Sequence, residues 1–208
     1  MLIELDYLSK KYGFKPKGVL HVGAHLGEEA KDYNSLDVKN VIWIEGNEKL
    51  IDSLKLNLEG MEGHQVLEYL VSDLDGEEYD FNISNNGQSS SILEMDKHLI
   101  YHPQVRYIDS VKVKSKRIDT IIKDNSIDIG DYDFLNLDIQ GAELMALKGM
   151  GETIKGFKYI YTEVNIGEVY KGCAKINEID DYIGQYGFER VETKITPSEW
   201  GDAFYIKK

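Results

Sequence analysis

The sequence predicts a doubly wound α/β fold: a mostly parallel sheet with helices on both faces and an antiparallel last strand. Segments with strand and helix patterning alternate from Gly18 to Gly187, and two strand-like segments then end the chain with no helix between them. The first strand also runs into a glycine-rich turn, Gly23-Ala-His-Leu-Gly27. Alternation of this kind builds parallel sheets through crossover helices, and their ligands sit beyond the carboxyl ends of the strands.

Each element has its own signal. Leu2, Leu5, Leu8 and Tyr12 recur at helical spacing and stop at Gly13, which predicts a leading helix within residues 1–13. Gly18-Val-Leu-His-Val-Gly-Ala24 is a short apolar run suited to a buried strand. A helix is expected to open near Gly27 and Glu28, with acidic residues toward the positive end of its dipole. Val41-Ile-Trp-Ile44 is the next strand; Asn47 is a good N-cap for a helix with Ile51, Leu54 and Leu58 on one face. A strand is expected from Gln65 to Val71, a turn at Asp75-Gly76, and an alternating strand from Tyr79 to Ile83.

From Ser84 to Ser110 periodicity fails, and so long an aperiodic stretch reads as a functional segment on the acceptor side of a ligand site. Val111 to Ile118 alternates again, and Tyr132 to Leu137 is a strand running into Asp138. Gly141 opens a helix bearing Leu144, Leu147 and Met150, and Tyr159 to Thr162 is a strand ending at Glu163. Ile176, Ile179, Ile183 and Tyr186 mark the last long helix, followed by strands near 188–195 and 203–206.

Length and charge narrow the class. A chain of 208 residues is expected to form one domain over its whole length. Its net charge of −13, with no Lys/Arg stripe, disfavours nucleic acid and anionic membranes as partners. A lone cysteine, Cys173, and the lack of a signal-peptide core point to a reducing, cytoplasmic setting.

The chemistry is sought at the strand ends. Gly23 opens a turn that lets a ligand approach the backbone, and Glu45 follows 22 residues later at the end of the next strand. An acid in that register accepts hydrogen bonds from the vicinal hydroxyls of a ribose. A dinucleotide fingerprint would put glycine where His25 stands, and Glu28 lies where a phosphate would sit. No Gly-Lys-Ser/Thr phosphate loop occurs, and the only Tyr-x-x-x-Lys spacing, Tyr7 to Lys11, precedes the first strand. A nucleoside without phosphate remains, and S-adenosylmethionine (SAM) fits, because acids near the turn attract its sulfonium and ammonium groups.

Val19-Leu-His-Val-Gly-Ala-His-Leu-Gly-Glu-Glu29, Trp43-Ile-Glu-Gly-Asn47, Val71-Ser-Asp-Leu-Asp-Gly76, Ser89-Ser-Ser-Ile92 and Leu135-Asn-Leu-Asp-Ile-Gln-Gly-Ala-Glu-Leu-Met-Ala-Leu-Lys-Gly149 resemble, in order and spacing, the FkbM-type SAM-dependent methyltransferases. The resemblance runs on to Gly201-Asp-Ala-Phe-Tyr205. It implies a class I methyltransferase (Rossmann-like) sheet and O-methylation of a sugar or polyketide hydroxyl. This chain departs from the family in having Gln140 where Glu is frequent and His25 where Asn is frequent.

On these positions Gly23, Ala24, His25, Gly27 and Glu28 are expected around the methionine moiety, and Glu45, Gly46 and Asn47 at the ribose. Ser72 and Asp73 are expected at the adenine edge. Asp138 is expected at the cofactor and, with Glu163, near the methyl group, as a base or as ligands of a divalent Mg, Ca or Mn ion. His102 is a further candidate base or acceptor contact, whereas His21 reads as a core histidine and His64 and His98 as surface residues. The Asp124, Asp128, Asp131, Asp133 cluster reads as a solvated turn. The acceptor is expected to be a carbohydrate or another small hydroxylated molecule. A non-catalytic SAM- or nucleoside-binding module, and a methyltransferase for nitrogen or phenolic acceptors, remain alternatives.

Overall fold

A computed structural model describes all of residues 1–208. Seven strands form the main sheet: β1 (Gly18–Val22), β2 (Asn40–Glu45), β3 (His64–Glu68), β7 (Phe134–Leu137), β8 (Tyr159–Asn165), β9 (Phe188–Ile195) and β10 (Trp200–Lys207). Their order across the sheet is β3-β2-β1-β7-β8-β10-β9, parallel except for β10, which runs antiparallel to both neighbours. This is the mostly parallel α/β sheet with an antiparallel last strand that the patterning predicts.

Successive side chains of each central strand enter opposite layers, because the strand period is two. Val19, Val41, Trp43 and Phe134 pack on one side under α1 (Leu5–Tyr12), α2 (Ala30–Ser35) and α3 (Glu48–Asn57). Leu20, Val22, Ile42, Ile44, Leu135 and Leu137 pack on the other under α5 (Ile118–Asp124), α6 (Glu143–Gly149) and α7 (Ile176–Gly184). Local chemistry sets the helix ends. Gly13 takes the left-handed conformation (φ 65°) and donates its N–H to Ser9 O, ending α1, while Asn47 Oδ1 accepts from Lys49 N and starts α3.

The middle of the chain departs from simple alternation. The strand expected from Gln65 to Val71 breaks at Tyr69, and β4 (Leu70–Val71) leaves the main sheet. It joins β6 (Tyr107–Lys116) and β5 (Glu78–Ser84) in a second sheet ordered β4-β6-β5. β6 therefore begins four residues earlier than its apolar alternation, in a stretch that Asp109 and Ser110 make polar. The rest of the irregular segment is held by backbone bonds, including a short helix, α4 (His98–Tyr101), whose His98 N–H donates to Val169 O at 3.1 Å.

That docking overturns the surface reading of His98, which is 6% exposed and packs against Tyr170 and His102. Asp133 is likewise buried rather than solvated: its Oδ1 accepts from Lys17 N (2.7 Å), and Lys158 lies 3.1 Å from its Oδ2. His21 is the core histidine expected. Tyr33 Oη lies 2.9 Å from its Nδ1, Trp43 stacks on it, and burial holds its pKa down at about 3. No helix is long and apolar enough to cross a membrane.

Phe14, just past α1, is fully buried and meets Phe134, Tyr159 and Phe204 edge-on at centroid distances of 4.9, 4.9 and 5.1 Å. Phe14→Ala is expected to cost about 3–5 kcal/mol of stability in urea denaturation; a loss under about 1 kcal/mol would mean that this aromatic cluster is not close-packed.

Candidate active site

The sheet order sends β2 and β3 to one side of β1, and β7 and β8 to the other. The carboxyl ends of β1 and β7 therefore open a crevice at the switch point. Gly23, at the end of β1, has φ +86°, and a Cβ there would lie 1.8 Å from the Asp138 carbonyl oxygen. Only glycine lets the two loops pass so closely.

The next residue but one, His25, also has a positive φ of 45°. Its N–H donates to Glu45 Oε2 at 2.8 Å, and Asn47 N–H donates to Glu45 Oε1 at 2.7 Å. The acid ending β2 thus fixes the glycine turn while keeping lone pairs for a ligand, since a carboxylate has about four acceptor sites. Burial pushes the Glu45 pKa above the usual carboxylate value. On the other side of the turn His25 Nδ1 lies 2.7 Å from Glu28 Oε1. Burial opposes ionisation of Glu28, but the His25 ring and backbone amides overcome it and hold the pKa at about 2.

Two adjoining cavities occupy the crevice. The larger, of about 460 Å³, is lined by Gly23, Ala24, His25, Glu28, Asp138, Gln140, Glu163 and Asp202, and farther out by Gln88, His98, His102 and Trp200. That volume lies within the usual range of ligand sites, roughly 300–1,000 Å³. The smaller, of about 60 Å³, is bounded by Glu45, Gly46, Tyr69, Leu70, Val71, Phe81 and Ile92. Gly23, His25, Gln88, Asp138 and Gln140 line both, so the two form one cleft with these residues at its neck.

Acids crowd its floor. Gln140, in the left-handed region at φ 54°, donates from Nε2 to Asp138 Oδ1 (2.7 Å) and to Glu163 Oε2 (2.8 Å), and its Oε1 accepts from the Tyr170 hydroxyl (2.8 Å). Strand register puts Asp202 on β10 opposite Glu163 on β8. Asp138 is open to solvent in the cleft but lies deep in its floor, so desolvation and the nearby Asp202 raise its pKa to about 6. Burial raises the fully enclosed Glu143 to about 7, although its Oε1 accepts from Ile139 N and Gly141 N at 3.1 Å. Burial, with Asp138 next in importance, pushes Glu163 well above the usual value.

The structure gathers most of the sequence-selected residues around this cleft: Gly23, Ala24, His25, Glu28, Glu45, Gly46, Asp138, Glu163 and His102. It leaves four outside. Gly27 faces Leu54 and Leu58, and Asn47 caps α3. The Ser72 hydroxyl donates to Leu74 O at 3.1 Å, and Asp73 O accepts from Arg117 Nη1 at 3.1 Å, so neither borders the cleft. The break at Tyr69 is the reason: it turns the chain so that Tyr69, Leu70 and Val71 take that wall instead.

A divalent ion shared by Asp138 and Glu163 does not fit, because the Gln140 amide nitrogen hydrogen-bonds to both and no three His, Cys, Asp or Glu side chains converge. Sequence reasoning placed Gln88 only within the acceptor-side segment and missed Tyr170 and Asp202 as cleft residues. Asp202 alone carried a signal, as a charged residue in an otherwise apolar strand.

The chain is similar to known proteins in sequence and fold. The sequence matches the methyltransferase FkbM domain family over residues 21–190. It is 25% identical over 176 residues to the 2-O-methyltransferase NoeI of Sinorhizobium fredii (strain NBRC 101917 / NGR234), covering 81% of this chain and 71% of NoeI. The fold is similar to that of a SAM-dependent methyltransferase from Aquifex aeolicus, with TM-score 0.53 and 13% identity, covering 100% of this chain and 91% of that one. It is also similar to magnesium protoporphyrin IX methyltransferase from Synechocystis PCC 6803 with bound SAM, with TM-score 0.50 and 11% identity, covering 91% and 69% of the two chains.

The acids on the cleft floor make stability depend on pH. Asp138, Glu143 and Glu163 bind protons more tightly folded than unfolded, so their contribution is fully present below the unfolded carboxylate pKa and is lost as pH rises through the folded values. His21 and His98, both held low by burial, act in the opposite direction below about 6.5. Thermal melts between about pH 6.5 and 8 should therefore show stability falling as pH rises. Gln140→Glu, which adds a third carboxyl, is expected to steepen that fall, and Glu163→Gln to flatten it. Parallel curves for the three proteins would refute the assignment.

Proposed function

The chain belongs to the FkbM methyltransferase family and is a SAM-dependent methyltransferase; from that premise we propose that it methylates a hydroxyl of a sugar or related polyol. The observation that carries this reading is Asp138 at the neck of the cleft, with a pKa raised to about 6. A hydroxyl is a poor nucleophile at neutral pH, and an adjacent carboxylate of that pKa is a base suited to its proton. The relative NoeI, a 2-O-methyltransferase, supports an oxygen acceptor. The net charge of −13 supports a small acceptor over a nucleic acid.

The walls of the smaller cavity have the chemistry for an adenosine, but its volume of about 60 Å³ is too small for one, so these walls must move apart on binding. Glu45 accepts from the ribose hydroxyls, and the apolar wall of Leu70, Val71, Phe81 and Ile92 covers the base. Gly23, Ala24 and His25 close around the methionine portion, and Glu28 stands near its ammonium group. When bound, SAM supplies a methyl carbon made electrophilic by its sulfonium. Held there, SAM would give this methyl to the acceptor oxygen and keep the carbon–sulfur electron pair on its sulfur, while Asp138 would take the hydroxyl proton.

Alignment of oxygen, carbon and sulfur contributes roughly 7–11 kcal/mol to such a reaction. Gln140 holds Asp138 in place for it, and the same amide donates to Glu163 at 2.8 Å, so the two carboxyls keep a fixed separation. His102, with Trp200 and the segment from Ser84 to Ser110, forms the acceptor side.

Calorimetry with SAM or S-adenosylhomocysteine should show micromolar binding, weakened by about 1.5–3 kcal/mol, roughly 10- to 150-fold, in Glu45→Ala. Unchanged affinity would remove Glu45 from the ribose. Asp138→Asn keeps the shape and removes the base, so turnover should fall at least ~100-fold in a mass-spectrometric assay for the 14-dalton methyl gain. SAM affinity measured in the same variant separates binding from chemistry. Near-parental turnover would exclude Asp138 as the base.

A further inference from the structure

The walls of the cleft carry a charge pattern that goes beyond methyl transfer. Six acidic side chains line its two cavities, Glu28, Glu29, Glu45, Asp138, Glu163 and Asp202; no lysine or arginine does, and the Met1 ammonium, 3.8 Å from Glu29, offsets one of them. Arg106, which has no ion-pair partner, is exposed and outside the lining, and Lys97 is drawn away to Glu199 at 2.6 Å. The donor molecule, with two cationic groups and one carboxylate, offsets only one unit of this charge. Repulsion among these acids is already visible in Glu163, whose ionisation burial, Asp138, Glu143 and Asp202 all oppose.

The outer wall is of another kind. Asn86, Gln88, Gln104, His98, His102 and Trp200 offer neutral amides, imidazoles and one indole. His98 is 6% exposed and its Nδ1 has no partner, so this wall holds hydrogen-bonding capacity that the chain does not use itself.

We infer that the acceptor is an uncharged or ammonium-bearing hydroxyl compound, and that acceptors carrying phosphate or carboxylate are turned away. The inference rests on the hydroxyl-methylation reading above and names the acceptor's charge class. Charges inside a cleft are screened far less than surface charges, and like charges placed together there are costly. Recognition falls to the neutral wall, where amides bind hydroxyls and an indole face covers the apolar side of a sugar ring. It follows that a sugar still attached to a nucleoside diphosphate is excluded.

Two experiments test this. The chain has two tryptophans, of which Trp43 is fully buried and Trp200 lines the cleft, so collisional quenching reports the potential at Trp200. With S-adenosylhomocysteine bound, caesium is expected to quench at least ~3-fold better than iodide, each normalised to free N-acetyltryptophanamide. Glu29→Gln should narrow the ratio. Equal quenching, or a ratio unmoved in a folded Glu29→Gln, would overturn the inference, since the preference would then come from the overall charge of the protein.

The second experiment uses a methyl glycoside, its 6-amino-6-deoxy derivative, its uronate and its 6-phosphate. The first two should exceed the last two by at least ~10-fold in kcat/KM. Equal turnover of the phosphate or uronate would overturn the inference. Methylation of none, with the caesium preference intact, would sink the glycoside reading and leave the charge inference standing on the quenching result.

Discussion

The carboxyl edge of the sheet depends on how closely two backbones pass. Where β1 gives way to Gly23 and β7 to Asp138, the chains run so near that a single added carbon would strike the Asp138 carbonyl. Asp138 N donates to Val22 O at 3.0 Å, and Gly23 N to Ile44 O at 2.9 Å, so β2, β1 and β7 are tied together at their ends. That contact sets the neck between the two cavities. It also forces the strained backbone around it, with His25 and Gln140 both at positive φ. Such strain persists only where the surroundings over-determine it; here His25 N–H donates to Glu45, Gln140 donates to Asp138 and Glu163, and Tyr170 donates to Gln140.

The same geometry explains how buried acids coexist with no lysine or arginine in the cleft, where the Met1 ammonium lies 3.8 Å from Glu29. Most of the others are satisfied by neutral donors. Glu45 accepts from His25 and Asn47 N–H groups, Glu143 from Ile139 and Gly141 N–H groups, and Asp202 from the Tyr161 hydroxyl and Leu2 N–H. Neutral donors remove the cost of an unmade hydrogen bond but leave the charge in place. The cleft is therefore polar, ordered and negative at once, a state suited to a cationic donor molecule. A lysine in any of these positions would have paired the acids and cancelled that field.

What could be read from the sequence divides along physical lines. β1, β2 and β7 were legible because strands buried on both faces must be continuously apolar, and the Asn47 cap because its signal is local. Gly23, Glu45, Asp138 and Glu163 were legible because strand ends in such a sheet converge whatever the details. The second sheet was legible only in part: Tyr79 to Ile83 and the stretch from Val111 read as strands, but the start of β6 and the separation from the main sheet did not. β6 alternates with much of its surface exposed, and a register shift at Ile83 and Ser84 breaks the period of its partner β5. His98 was misread because what buries it, Tyr170 and the Val169 backbone, lies about 70 residues away and leaves no local trace.

Gln140 shows how one residue can matter through what it is not. Its amide nitrogen has two hydrogens, and both are used, one on each of two carboxylates; its oxygen takes the Tyr170 hydroxyl. A glutamate of the same shape would accept from Tyr170 but would present a second acceptor to Asp138 and Glu163, so a proton would have to be held among the three. That proton would come at the expense of ionised Asp138, the base on which the proposed chemistry depends. Glutamine adds no charge between Asp138 and Glu163, whose pKa values burial already raises. The departure from the glutamate frequent at this position is thus consistent with an active site rather than a degenerate one.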